Sequence, residues 1–420
     1  MPGVRCVAAR PIWELALLLT LSVSLASCSP GAIAPVDTTL PTQSTVTLTS
    51  VTPSGQPTLT ASATWVPAAD FPTQTPVPET PTAPASSPPA PPSLADRSKL
   101  GIHGIWPNHI LDFTQALADA GAPFRIIKAV DDLSWLKEVR RISPETITVG
   151  RLTHYHESAA LIHDPGTDLD WYAAVLMEPI LERIQDDPSL GQAVDYWELT
   201  NEPLGGGVSA DAYVRLAQVT MLCMEIAEAN GLKLAIFGFN AGTPEWSDML
   251  AILDTGVFGR AKAGDHILAV HEGVFGNDPI DKWWNVHFVD GEGNPTTEDT
   301  GVTAPGGWIP GAPVVAEAGA LCLRYRFLYQ LLGEQGAVIP LFVSEFYAGG
   351  GYDPASKADV IARMRWYDEQ VSADDYVLGF APFTLGPTPD WNGQDYEQFY
   401  AGEDGLVTYA IARATSVPSP

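Results

Sequence analysis

DYWELTNEPLGGG, Asp195–Gly207, opens on a short β-prone run, Tyr196–Thr200, and is closed by Pro203 and three glycines. Proline removes a ladder donor and glycine frees the backbone, so the strand must stop there. A long helical pattern, Ala210–Asn230, follows at once. Strand, tight turn and helix make one unit of an alternating β/α chain. Asn201 and Glu202 stand on the lip of that unit, just past the strand.

The same unit recurs outward in both directions. Short apolar or β-branched runs lie at Leu100–Trp106, Phe124–Val130, Thr146–Leu152, Tyr196–Thr200, Leu232–Phe239, His266–His271, Ala337–Phe346 and Val377–Phe383. Helical patterns fall between them, among them Ile110–Ala120, Leu169–Asp186, Ala210–Asn230, Ala320–Glu334 and Pro354–Val371. Eight such units in about 300 residues predict an α/β fold, a single (β/α)8 TIM barrel. The rival is a doubly wound open sheet, but no GxGxxG or phosphate loop follows the first strand. One stretch breaks the rhythm. Val274 to Pro313 is rich in Gly, Pro and Trp, with Trp283, Trp284, His287, Phe288 and Trp308, and is expected to fold over the barrel mouth.

The N-terminus does not belong to the barrel. Arg5 and Arg10 precede an apolar run, Ile12–Ala26, in the layout of a secretory signal over residues 1–27. Leu25-Ala26-Ser27-Cys28 resembles a bacterial lipobox. That resemblance implies lipid attachment at Cys28 and an extracytoplasmic protein tethered to a membrane. The alternative is an ordinary signal with an incidental cysteine. Residues 28–98 hold 15 of the 37 prolines among Thr, Ser and Ala, too little apolar content to offset chain entropy, so a disordered linker is expected. The barrel is assigned to 99–415, with a tail at 416–420. Of 22 Lys/Arg and 50 Asp/Glu in the chain, 3 and 5 precede Lys99, which leaves the barrel a net charge of −26. Such acidity excludes a nucleic-acid partner. It suits a chain acting alone on neutral or cationic ligands. Export permits a disulfide between Cys223 and Cys322, although both sit in helix-like runs far apart.

In barrels of this type the chemistry stands at the C-terminal strand ends. The polar residues there include His103, Arg151, His154, His156, Glu157, Asn201, Glu202, Asn240, His271, Glu272, Glu345, Tyr347 and Thr384. Glu202 and Glu345 come from strands four and seven, which face each other across the ring. Glycoside hydrolysis needs such a pair, one carboxylic acid to protonate the leaving oxygen and one carboxylate to attack or to activate water. WELTNEP and LFVSEF on these strands resemble the motifs of the large clan of retaining barrel glycoside hydrolases, which includes cellulases, mannanases, xylanases and β-glycosidases. The resemblance spans the barrel in element order, while only the two motifs are specific. It implies a carbohydrate substrate, Glu202 as acid/base, Asn201 as a ligand of the sugar 2-hydroxyl and Glu345 as nucleophile, with no cofactor or metal.

Further expectations attach to the rim. Glu198, four residues before Glu202, should face the barrel interior and be hydrogen-bonded rather than catalytic. His271 should face the pocket and touch the nucleophile, with Glu272 turned to the opposite face; a purely structural histidine is the other reading. The clan supplies an arginine from strand two to support the nucleophile. Here strand two carries Lys128, and Arg151 on strand three is expected to take that role. Strand eight lacks the clan's tryptophan, so Phe383 or Trp391 is expected to floor the sugar site. His154, Trp106, Tyr155, Trp246, Tyr347 and Trp391 complete the aromatic and polar rim. Two other functions stay open: a surface-tethered barrel that binds glycans without turnover, and a metal-dependent hydrolase using His154, His156, Glu157 and His271.

Overall fold

The computed structural model describes residues 97–416, except 106–107, 155, 275–287, 290–294, 297–308, 310, 314, 316, 350–355 and 387–394. The signal, Cys28 and nearly all of the linker lie outside the described residues, as do Trp106, Tyr155, Trp391 and most of the aromatic insertion. Among the described residues no helix is long and apolar enough to cross a membrane.

Eight parallel strands form one sheet in sequential order. They are β1 Ile102–Gly104, β2 Ile126–Val130, β3 Ile147–Arg151, β4 Tyr196–Glu198, β5 Leu234–Phe239, β6 Ile267–Val274, β7 Leu341–Ala348 and β8 Val377–Pro382. The sheet closes on itself: Gly101 N donates to Phe380 O (2.8 Å) and Leu385 N to His103 O (2.8 Å). The main helices are α1 Ile110–Asp119, α2 Leu136–Ile142, α3 Leu169–Asp186, α4 Ala210–Ala229, α5 Trp246–Asp254, α6 Val257–Ala263, α7 Tyr325–Gln335, α8 Lys357–Ser372 and α9 Leu406–Ser416. This is the (β/α)8 barrel that the strand–turn–helix repeat predicts. Phe288–Val289 and Pro295–Thr296 pair as a small antiparallel ribbon inside the insertion.

Side chains alternate in and out along each strand. Ile126, Val149, Ala235, Ile267, Ala269, Phe342 and Ala381 fill the lower barrel interior as one cluster, and the outward residues join the larger core under the helices. On the same inward rows, nearer the C-terminal ends, stand Lys128, Glu198, His271 and Glu345, all buried. The interior therefore changes from apolar to charged along its axis. Buried charges are tolerated only when paired, so the upper layer must be a connected network. Cys223 and Cys322 are buried free thiols, and the disulfide considered above does not form. Trp246, expected on the rim, instead heads α5 and packs against the core.

Candidate active site

Glu202 owes its place to an irregular stretch of β5. Phe237 (φ 76°) and Gly238 (φ 58°) both take left-handed backbone, and the β5–β6 register shifts between Phe237 and Phe239. The Thr200 hydroxyl donates to Phe237 O (2.8 Å), and Glu202 N donates to Gly238 O (2.8 Å). Glu202 itself has φ 48°. Backbone strain of this kind persists where surrounding structure enforces it, often at functional sites. A Cβ on Gly238 would lie 2.3 Å from Thr200 O. Gly238→Ala is therefore expected to cost on the order of 3 kcal/mol and to shift Glu202 off its position. A urea-unfolding midpoint measured beside activity checks this; an unchanged midpoint would refute it.

Glu345 is placed by a bulge in β7. Val270 is paired with Val343 but His271 with Glu345, so Ser344 is the extra residue. A bulge re-aims the side chain beside it, and Glu345 turns into the barrel. Its Oε1 accepts from Lys128 Nζ (3.1 Å) and its Oε2 from the Tyr347 hydroxyl (2.5 Å). Lys128 also donates to Glu198 Oε1 (2.9 Å). The cation bonded to Glu345 is thus Lys128, not Arg151 as expected. Arg151 is held by Glu157 (2.8 Å) on the adjoining wall. Burial alone would raise the Glu345 pKa, but His271 and Lys128 outweigh it and hold the carboxyl well below the usual carboxylate range.

His271 joins the two carboxylates. Its Nδ1 lies 2.8 Å from Glu202 Oε1 and 3.7 Å from Glu345 Oε2, so those oxygens are at most the two distances laid end to end, 6.5 Å, apart. The histidine faces the pocket as expected; its hydrogen bond goes to Glu202, and Glu345 Oε2 stands farther off at 3.7 Å. Burial would lower its pKa; Glu345, Glu198 and Glu202 around it outweigh that and push it up to about 9. Glu202 keeps its side chain 31% exposed against 6% for Glu345, so the first stands at the mouth and the second on the floor.

Sequence reasoning assigned no role to His103. Its Nε2 lies 3.5 Å from Glu345 Oε1, and its Nδ1 lies 2.9 Å from Thr384 Oγ1. Burial lowers its pKa to about 4, so the ring is neutral. The Thr384 hydroxyl donates to His103 O (3.0 Å) and its oxygen lies against Nδ1, so one threonine fixes both the backbone and the ring of His103. The signals were a histidine ending β1 and, for Lys128, a cation in the apolar run FRIIKAV. Such a residue is buried only with partners.

The remaining expected residues divide. Among the described residues Asn201 Oδ1 is buried without a hydrogen-bond partner, open to a ligand donor. His154 Nε2 lies 3.5 Å from Glu157 Oε1, and its buried Nδ1 is likewise unpartnered. Arg151, His154, Glu157 and Asn201 thus line the β3–β4 side of the mouth. Phe383 is buried, with its ring 5.5 Å from Tyr347 and 4.7 Å from His103, at the place where a floor for the site was sought. Among the described residues no group of three or more His, Cys, Asp or Glu is arranged to hold a metal ion.

No protein-family model matches the sequence, and no curated protein matches it. Among solved structures the chain is similar to a family 39 glycoside hydrolase from the gut symbiont Bacteroides cellulosilyticus WH2, at 12% identity over 77% of this chain and 64% of that one, with a TM-score of 0.46. It spans just under two-thirds of that enzyme's length. It is also similar to a glucosidase from Croceicoccus marinus (14% identity, 78% and 69% of the two chains, TM-score 0.45) and to a β-mannanase from Thermomonospora fusca solved with mannotriose (13%, 73% and 90%, TM-score 0.37). The fold assignment here rests on the strand order and pairing of this chain alone.

Proposed function

We propose that this protein is a glycoside hydrolase acting by retaining double displacement, with Glu345 as nucleophile and Glu202 as acid/base. One observation carries the reading: a single imidazole nitrogen sits between the two carboxylates and bounds their nearest oxygens at 6.5 Å. Retaining enzymes hold the pair about 5–5.5 Å apart, whereas inverting ones leave roughly 6.5–9.5 Å for a water. In the first step Glu345 attacks the anomeric carbon as the glycosidic C–O bond breaks, and Glu202 delivers a proton to the departing oxygen. His271 Nδ1 lies 2.8 Å from Glu202 Oε1, so the imidazole orients the acid/base carboxyl through one hydrogen bond. In the second step Glu202 takes a proton from water, the water oxygen bonds to the anomeric carbon, and Glu345 leaves as carboxylate. The substrate class is an extracellular neutral oligo- or polysaccharide, since a net charge of −28 on the chain disfavours anionic glycans. Tethering through Cys28 belongs to the same proposal.

The test is turnover of a panel of aryl glycosides and β-glucans, with the first-formed anomer followed by proton NMR. Retention is the expected result. Inversion would overturn the mechanism. Failure to turn over any of them, together with measurable glycan binding, would favour the non-catalytic binding barrel.

A further inference from the structure

Strand alternation sends His271 into the pocket and Glu272 the other way, into the space between barrel and helices. Glu272 is only 2% exposed. A carboxylate so buried ordinarily has a cation, but the nearby Arg324 guanidinium turns instead to Pro244 O (2.7 Å) and Glu245 (3.0 Å). The Glu272 oxygens accept from the Tyr367 hydroxyl (2.5 Å), from Leu323 N (2.7 Å) and from Tyr325 N (3.4 Å). Leu323 has φ 59°, a turn that aims those amides at the carboxylate, and Gly273 N donates to Leu321 O (2.8 Å) beside it.

Tyr367 reaches across from α8, and its ring stacks on Phe346 at 4.0 Å with 19° between the planes. Phe346 directly follows Glu345 and pairs in register with Glu272. The residues immediately after His271 and after Glu345 are therefore tied together, behind the barrel wall, by one tyrosine. They are tied at the place where Ser344 bulges out of register. Without the bulge His271 would face Ser344, and a one-residue slip sends every later side chain of β7 to the other face. Glu345 would then leave the pocket.

We propose that Glu272 and Tyr367 are a positioning pair: from outside the barrel they hold the β6–β7 bulge that brings His271 and Glu345 together. The role in catalysis rests on the glycosidase reading, while the geometric role does not. The titratable groups facing Glu272 are Tyr367 from α8, Cys322, Arg324 and Tyr325 at the entry to α7, and Tyr376 before β8. Burial pushes the Glu272 carboxyl up to about 7, with the tyrosine and amide donors offsetting part of the effect. Protonation there would turn an acceptor into a donor against Leu323 N–H and loosen the same tie.

The experiment uses the full chain with ring-labelled histidine and three variants. Tyr367→Phe removes the hydroxyl and keeps the stack. Glu272→Gln keeps the shape and places an amide against the backbone donors. Tyr329→Phe removes a buried hydroxyl that donates to Ile339 O (2.9 Å), away from the tie. In Tyr367→Phe and Glu272→Gln the His271 titration is expected to fall by a unit or more as Glu345 withdraws. A roughly 10- to 100-fold loss of kcat with little change in KM should accompany it, the scale of a misplacement near 1 Å. Tyr329→Phe should change neither. If both test variants lose stability but keep the His271 titration of the unmodified protein, the pair is merely structural and the proposal is overturned. Should Glu272→Gln not fold, Tyr367→Phe alone decides. If the unmodified protein turns over no glycoside, the glycosidase reading fails and the His271 titration still judges this one.

Discussion

Glu345→Gln is expected to lower kcat/KM on the order of 10⁴-fold or more, about 5.5 kcal/mol of transition-state stabilisation, because no covalent intermediate can form without the carboxylate. Glu202→Gln should cost about 10²- to 10⁴-fold, the usual worth of a proton-transfer group. Its loss should depend on the substrate: large for alkyl and oligosaccharide leaving groups, small for a dinitrophenyl glycoside that departs without a proton. Azide should restore turnover to Glu202→Ala by attacking the glycosyl–Glu345 intermediate, giving a glycosyl azide of retained configuration. Leaving-group dependence in Glu345→Gln instead would reverse the two roles. The pH profile carries a further check. Glu345 is held ionised well below the ordinary carboxylate range, so its contribution is present above about pH 4.3 and lost as pH falls through its folded value. His271 is raised to about 9, so its contribution is full below about pH 6.5 and lost as pH rises through 9. Activity and stability should both be fullest between these limits, with an alkaline limb near 9 that shifts in His271→Gln.

Much of this site was legible in the sequence because the β/α repeat is densely punctuated. Six of the eight runs contain their strand whole, β6 and β7 run on past theirs to Val274 and Ala348, and the NEP motif follows β4 while SEF lies within β7. The edges were less legible. The helix expected from Ala320 begins at Tyr325, because the Leu321 carbonyl and Leu323 amide are committed to Gly273 and Glu272 rather than to a helical ladder. Spacing also says which strand a residue occupies but not its register. The extra residue Ser344 and the left-handed Phe237–Gly238 pair depend on long-range contacts, and they decide where Glu345 and Glu202 point. The Arg151 expectation failed for a related reason. A family pattern asked for arginine, whereas the physical requirement is a buried donor that reaches Glu345, and the inward face of β2 supplies one at Lys128.

Lys128→Met should be the most destabilising substitution in the site. Lys128 Nζ is the donor shared by Glu198 and Glu345, and all three side chains are nearly or wholly excluded from solvent. Removing one member of a buried charge network leaves the others desolvated without compensation, which costs about 3–5 kcal/mol. The chain answers such a cost by holding a proton, and the carboxyl that gains one can no longer attack. Activity should therefore fall further than the folded fraction explains, and the acid limb should move to higher pH. Lys128→Met with Glu198→Gln separates the two effects, because the second change removes a carboxylate that the first has orphaned. The double variant should regain roughly 1–3 kcal/mol over Lys128→Met, since neighbours in one network are non-additive. Its activity should stay low, because Glu345 still lacks its donor. Urea midpoints at constant m-value, read beside kcat/KM, check both statements. Additive losses would mean that Glu198 and Glu345 do not share Lys128.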